Sequence, residues 1–128
     1  MFEVKVVSRF SAAHYLTNYK GKCESLHGHN WKVEAVVSSS HLDSRDMVID
    51  FKELKRMLEE VLEEFDHRLI NDIGFFKRRN TTSERIAQYI FRNLKRRIKS
   101  LKGIAKGLKL KEIRVWEQEA SCAVYREK

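Results

Sequence analysis

Hydrophobic and charged residues alternate at the start of the chain. Phe2, Val4 and Val6 interleave with Glu3 and Lys5, which predicts a strand over residues 1–13. Asn18, Gly21 and Lys22 mark a loop within residues 15–26. A second strand follows over residues 29–39, where Trp31, Val33, Ala35 and Val37 share one face against Lys32 and Glu34. The period then changes. Phe51, Leu54, Leu58, Val61 and Phe65 recur at helical spacing, with Asp50 placed to cap the helix start. After a loop over residues 71–80, Thr81 and Glu84 have the spacing of a capping box. Ile86, Ile90, Leu94, Ile98 and Leu101 form a second helical stripe, with Gly103 and Gly107 around its end. Two short strands are predicted over residues 109–116 and 121–126.

The order β-β-α-α-β-β predicts an α+β domain: a four-stranded antiparallel sheet with two helices on one face. Such a sheet has two open edges, and uncovered edges invite pairing with another subunit. The chain has 128 residues, no repeat and no linker, so a single domain over residues 1–128 is expected. No apolar run reaches the roughly 20 residues needed to span a bilayer, and the start lacks the apolar centre of a signal peptide. Cys23 and Cys122 are the only cysteines, too few for a disulfide scaffold. A cytoplasmic protein without membrane partners is expected. The formal net charge of +8 favours anionic partners without choosing among them.

The candidate chemistry centres on histidine. His27 and His29 flank Gly28, and in extended chain residues two apart point the same way. His14 ends the first strand, whose pairing with the second would bring a third imidazole alongside. Three histidines leave one position open on tetrahedral Zn²⁺, the pattern of a catalytic site. Ordinary surface histidines have the same spacing. Cys23 lies four residues before His27, where a zinc ion would lower its pKa; a buried apolar cysteine is the other reading. Asp66 and His67 could form an acid/base unit at the end of the first helix. A helix C-terminus with His67 and Arg68 favouring the dipole explains them too, and the pattern alone favours that explanation. Glu117 and Glu119 are expected on one strand face, as a carboxylate for an amino-pyrimidine edge or as exposed charge. Eight basic residues lie within residues 95–111 with no acid and no interleaved aromatic residue, so a solvated helix face is expected there rather than a nucleic-acid platform.

Six segments in order carry a resemblance: Phe10-Ser11-Ala12-Ala13-His14, Cys23-Glu24-Ser25-Leu26-His27-Gly28-His29-Asn30, Met47-Val48-Ile49-Asp50-Phe51, Asp66-His67-Arg68-Leu69-Ile70-Asn71, Thr82-Ser83-Glu84 and Trp116-Glu117. Together they resemble the 6-pyruvoyl-tetrahydropterin synthase and 6-carboxytetrahydropterin synthase family. The resemblance implies the tunnelling fold, with trimers that close a barrel and stack in pairs as hexamers. It implies His14, His27 and His29 as zinc ligands and Cys23, Asp66 and His67 as catalytic residues. It implies Glu117 as the pterin anchor, with Thr82 and Ser83 beside the ring.

The implied substrate is 7,8-dihydroneopterin triphosphate, whose triphosphate would suit basic residues near the pocket. The implied product is 6-carboxy-5,6,7,8-tetrahydropterin, a precursor of 7-deazaguanine bases of tRNA. Two alternatives stay open: a 6-pyruvoyl product, or folate-branch cleavage to 6-hydroxymethyl-dihydropterin in which Glu24 takes the cysteine's role. The spacing of Cys23 to His27 resembles the carboxy branch more than the animal-type pyruvoyl branch. An RNA-binding module remains a remote further reading.

Overall fold

The computed structural model describes residues 1–19 and 25–128. Its strands are β1 (Phe2–His14), β2 (His27–Ser39), β3 (Lys109–Gln118) and β4 (Ser121–Tyr125). They form one antiparallel sheet in the order β1-β2-β3-β4. Helices α1 (Phe51–Leu62) and α2 (Ser83–Lys99) pack against the sheet, and two short 3-10 turns, Ile70–Asp72 and Gly74–Phe76, connect them. The expected α+β architecture is the one observed.

Alternation explains the core. Val33, Ala35 and Val37 of β2 are buried and meet Leu54, Leu58 and Val61 of α1 and Ile86, Ile90 and Leu94 of α2 in one apolar cluster. Near the far end of the sheet the core becomes aromatic. Phe10 stacks on Trp31 with ring centres 5.8 Å apart and meets Phe65 at 5.0 Å. Trp31 is fully buried and donates its indole N–H to the Ala12 carbonyl at 3.2 Å. The aromatic cluster therefore fixes the end of β1 and the start of β2, where the histidines stand.

Several boundaries differ from the sequence expectation. β2 starts at His27, so both outer histidines lie inside the strand ladder. α1 ends at Leu62, and Phe65, Asp66 and His67 form a turn whose backbone bonds to β1 through His67 N–H to Ser11 O. The N-cap of α2 is Thr82, whose hydroxyl accepts from Arg85 N–H, rather than Thr81. Thr81 is fully buried and its hydroxyl is used by Tyr15 O and the His14 ring, so it cannot cap. Glu117 and Glu119 do not share a strand face. β3 ends at Gln118 after a register shift, and Glu119 lies in the exposed turn beyond it.

The other sheet face is charged. Glu112 is buried between Arg114 and Arg126, both of which donate to its carboxylate. Burial raises its pKa, but hydrogen bonds and charge from the two arginines outweigh burial and hold it below the ordinary value.

Two stability predictions follow from this packing. Phe65→Ala removes a ring in contact with Phe10, Phe76 and Tyr89 and should destabilise the fold by about 3–5 kcal/mol in denaturant titration. Because Glu112 is depressed, its ionic contribution is complete above the unfolded carboxylate pKa and is lost as pH falls through the lower folded value. Glu112→Gln should therefore be less stable than the parent at neutral pH, with a shallower loss of stability on acidification. Equal slopes for the two proteins would contradict this.

Candidate metal centre and active site

Strand register assembles the site. His14 is opposite His27, and Ala12 is opposite His29, so all three imidazoles emerge on the helix-facing side. Glu117 reaches the same point from β3. One ligand atom from each of His14, His27, His29 and Glu117 falls within 4.8 Å of the others. The ring centres of His14 and His27 are 4.6 Å apart, and those of His27 and His29 are 4.7 Å apart.

The hydrogen bonds define which nitrogens face inward. His14 Nδ1 lies 2.9 Å from Thr81 O, and His27 Nδ1 lies 2.8 Å from Ser25 O. A carbonyl accepts only, so each Nδ1 carries the proton and each neutral ring presents a lone pair at Nε2. These two Nε2 atoms are only 3.1 Å apart. His29 Nε2 approaches Glu117 Oε1 at 2.7 Å without hydrogen-bond direction, and it is buried with no hydrogen-bond partner. Burial lowers the pKa of His14, against opposing contributions from Thr81 and Glu117, which further favours the neutral ring. Converging lone pairs, an orphaned ring nitrogen and a carboxylate form a donor set suited to a divalent cation. Three imidazole nitrogens match an open zinc site with the Glu117 carboxylate beside it, and carbonyls orient two of the rings from behind.

Asp66 and His67 form the second group. Asp66 Oδ1 accepts Ser11 N–H at 2.9 Å, and Oδ2 lies 3.0 Å from His67 Nδ1. The Ser11 bond, then the His67 contact, hold the Asp66 carboxyl below its ordinary pKa. His67 has φ of 59°, a turn conformation that lets neighbouring side chains meet as they could not on a helix. Its side chain is 83% exposed. His67 and His29 line one cavity of about 510 Å³ together with Ser11 and Asn30.

Ser83 and Glu117 line another cavity, of about 260 Å³, with Glu84 and Cys122. Thr82 is occupied as the α2 cap. Cys23 and Glu24 lie outside the described residues. A larger hollow of about 670 Å³ is walled by Glu60, Glu63, Glu64 and Asp72 and contains none of these groups. In the basic run, Lys95 pairs with Glu127 at 2.9 Å and Lys111 with Glu3 at 2.6 Å. The run begins in the second half of α2 and ends in β3, and no residue of the histidine cluster lies in it.

One contributor, Thr81, escaped the sequence reading, and the placement of another, Glu117, against the imidazoles was not foreseen. Thr81 orients His14 across 67 residues of chain, and nothing local signals that contact. Glu117 was expected at a pterin ring, and here its carboxylate lies against the imidazoles, an arrangement set by the β2–β3 register.

Comparison with known proteins identifies the family. Residues 3–128 match the family described as 6-pyruvoyl tetrahydropterin synthase. A protein of Archaeoglobus fulgidus, provisionally named a 6-carboxy-5,6,7,8-tetrahydropterin synthase, is 37% identical over 96% of this chain and 94% of its own length. The 6-carboxy-5,6,7,8-tetrahydropterin synthase of Haemophilus influenzae is 32% identical over 99% of this chain and all of its own. The structure of Caenorhabditis elegans 6-pyruvoyl tetrahydropterin synthase superposes with a TM-score of 0.79 at 26% identity, covering 99% of this chain and 96% of that one. With that shared fold and a family match over nearly its whole length, the chain belongs to the 6-pyruvoyl tetrahydropterin synthase family.

Proposed function

We propose that this protein converts 7,8-dihydroneopterin triphosphate to 6-carboxy-5,6,7,8-tetrahydropterin at a zinc site held by His14, His27 and His29. The observation that carries the reading is the convergence of those three imidazoles with Glu117. The carboxy product is favoured by the names of the relatives that match nearly end to end, together with the short spacing of Cys23 to His27.

Zinc bound there would supply Lewis acidity, polarising the side-chain oxygens of the substrate and acidifying the carbons that bear them. The protein's own groups do the rest. Asp66 accepts a hydrogen bond from His67 Nδ1–H, leaving His67 Nε2 to take up or release a proton. Cys23 moves a second side-chain proton. Glu117 can accept two N–H groups from the amino-pyrimidine edge, with Ser83 across the same cavity. Glu24, next to Cys23 in the sequence, is the alternative base for cleavage toward 6-hydroxymethyl-dihydropterin. A homo-oligomer, a dimer of trimers, fits a sheet that ends in β1 and β4 with no further strand beyond them among the described residues. Also among the described residues, no helix is long and apolar enough to cross a membrane.

The deciding experiment incubates zinc-loaded protein with 7,8-dihydroneopterin triphosphate and identifies products by mass spectrometry. The expected result is the 6-carboxy product with acetaldehyde. A 6-hydroxymethyl product would transfer the chemistry to Glu24, a 6-pyruvoyl product would place the chain in the other branch, and no product would refute the substrate. Alanine at His14, His27 or His29 should lower zinc affinity at least about tenfold and remove turnover. Cys23→Ala should abolish turnover with zinc content unchanged; loss of zinc in this variant would make Cys23 a ligand instead.

A further inference from the structure

β1 ends at His14, and beyond it two asparagine side chains supply hydrogen bonds that a neighbouring strand would otherwise give. Asn71 donates its amide N–H to the Tyr15 carbonyl at 3.0 Å and accepts the Tyr15 N–H at 3.1 Å. Asn80 treats Thr17 in the same way, donating to its carbonyl at 2.8 Å and accepting its N–H at 2.7 Å. Asn80 also accepts the Thr17 hydroxyl at 3.1 Å. Exchange of both N–H and C=O with one partner is the pattern of a paired residue in an antiparallel ladder. Here it is made by side chains that lie 56 and 63 residues away along the chain.

The two amides converge on the backbone that carries His14. Asn71 sits in the Ile70–Asp72 turn and fixes the residue directly after the histidine. Asn80 directly precedes Thr81, whose carbonyl and hydroxyl lie 2.9 and 3.1 Å from His14 Nδ1. The Thr81 hydroxyl donates its one proton to the Tyr15 carbonyl at 3.1 Å, so toward the His14 ring its oxygen accepts. Backbone and ring of His14 are thus tied to the same distant segment, residues 71–81. The His14 side chain is 2% exposed. A ligand whose rotamer is set before binding loses less freedom when the cation arrives.

We propose that Asn71 and Asn80 are positioning residues of the metal centre: their paired amides lock the chain after His14 and, with Thr81, keep its ring aimed at the cation position. This rests on the zinc site proposed above. Both amides are engaged with the main chain, so they act through His14 and not as ligands.

The test measures the zinc affinity of the full chain by competition with a chelator. Asn71→Asp and Asn80→Asp keep the shape and one accepting oxygen, but set a second oxygen against a carbonyl. Each should weaken zinc binding about tenfold. The added negative charge would by itself favour a cation, so a loss reports the clamp. Asn71→Ala and Asn80→Ala remove both bonds without adding charge and should weaken zinc at least as much; they carry the same test if an aspartate variant does not fold. Asn93→Asp is the control. Asn93 donates to the Tyr89 carbonyl at 2.8 Å, roughly 16 Å along α2 from its Thr82 cap. That variant loses the same kind of bond and gains the same charge, and its zinc affinity should match the parent. A clamp that only supports the fold would destabilise metal-free and zinc-loaded protein equally, whereas the positioning role predicts the larger loss in the loaded form. Parent-like zinc affinity in the folded variants at both positions, or an equal loss in Asn93→Asp, overturns the inference. If the parent converts the pterin and the variants bind zinc as it does, the clamp fails and the function stands. If the variants bind zinc more weakly but the parent converts no pterin, the clamp stands and the substrate assignment fails.

Discussion

The register between β1 and β2 is the constraint on which the site depends. It sets His14 opposite His27 and Ala12 opposite His29. A slip of one residue would send each side chain of the strand to the opposite sheet face. The aromatic cluster opposes that slip, because Phe10 and Trp31 must both face the core, and the Trp31 indole is tied to the Ala12 carbonyl. The burial that stabilises the fold therefore also aims the histidines.

The same end of the molecule concentrates polar groups that the fold alone leaves in conflict. Two rings with protonated Nδ1 point their lone pairs at each other, and a third ring nitrogen is buried without a hydrogen bond. A buried polar atom without a partner destabilises the fold. A cation shared by the three nitrogens would remove that conflict, with the Glu117 carboxylate beside it.

Much of this was legible from the residues. Alternation gave the strands, helical spacing gave both helices, and the His27-Gly28-His29 spacing with His14 pointed to the cluster of imidazoles that the register assembles. What the chain pattern hid was long-range. Thr81 has the look of a helix cap, yet it is pulled into the core by Tyr15 and His14, and the cap passes to Thr82. Asp66 and His67 read as the end of a helix, but the helix stops at Leu62 and a left-handed residue turns the two side chains toward each other. A register shift at the end of β3 separates Glu117 from Glu119. Each of these depends on a contact with a distant segment, which periodicity along one stretch of chain does not contain.

The most direct measurement of the central claim is X-ray absorption at the zinc edge on metal-loaded protein. Three imidazole nitrogens at about 2.0–2.1 Å with one oxygen donor, and no sulfur in the first shell, is the result expected. Sulfur at about 2.3 Å, or fewer than three nitrogen donors, would contradict it, since either would mean that the β1–β2 register does not build the metal centre.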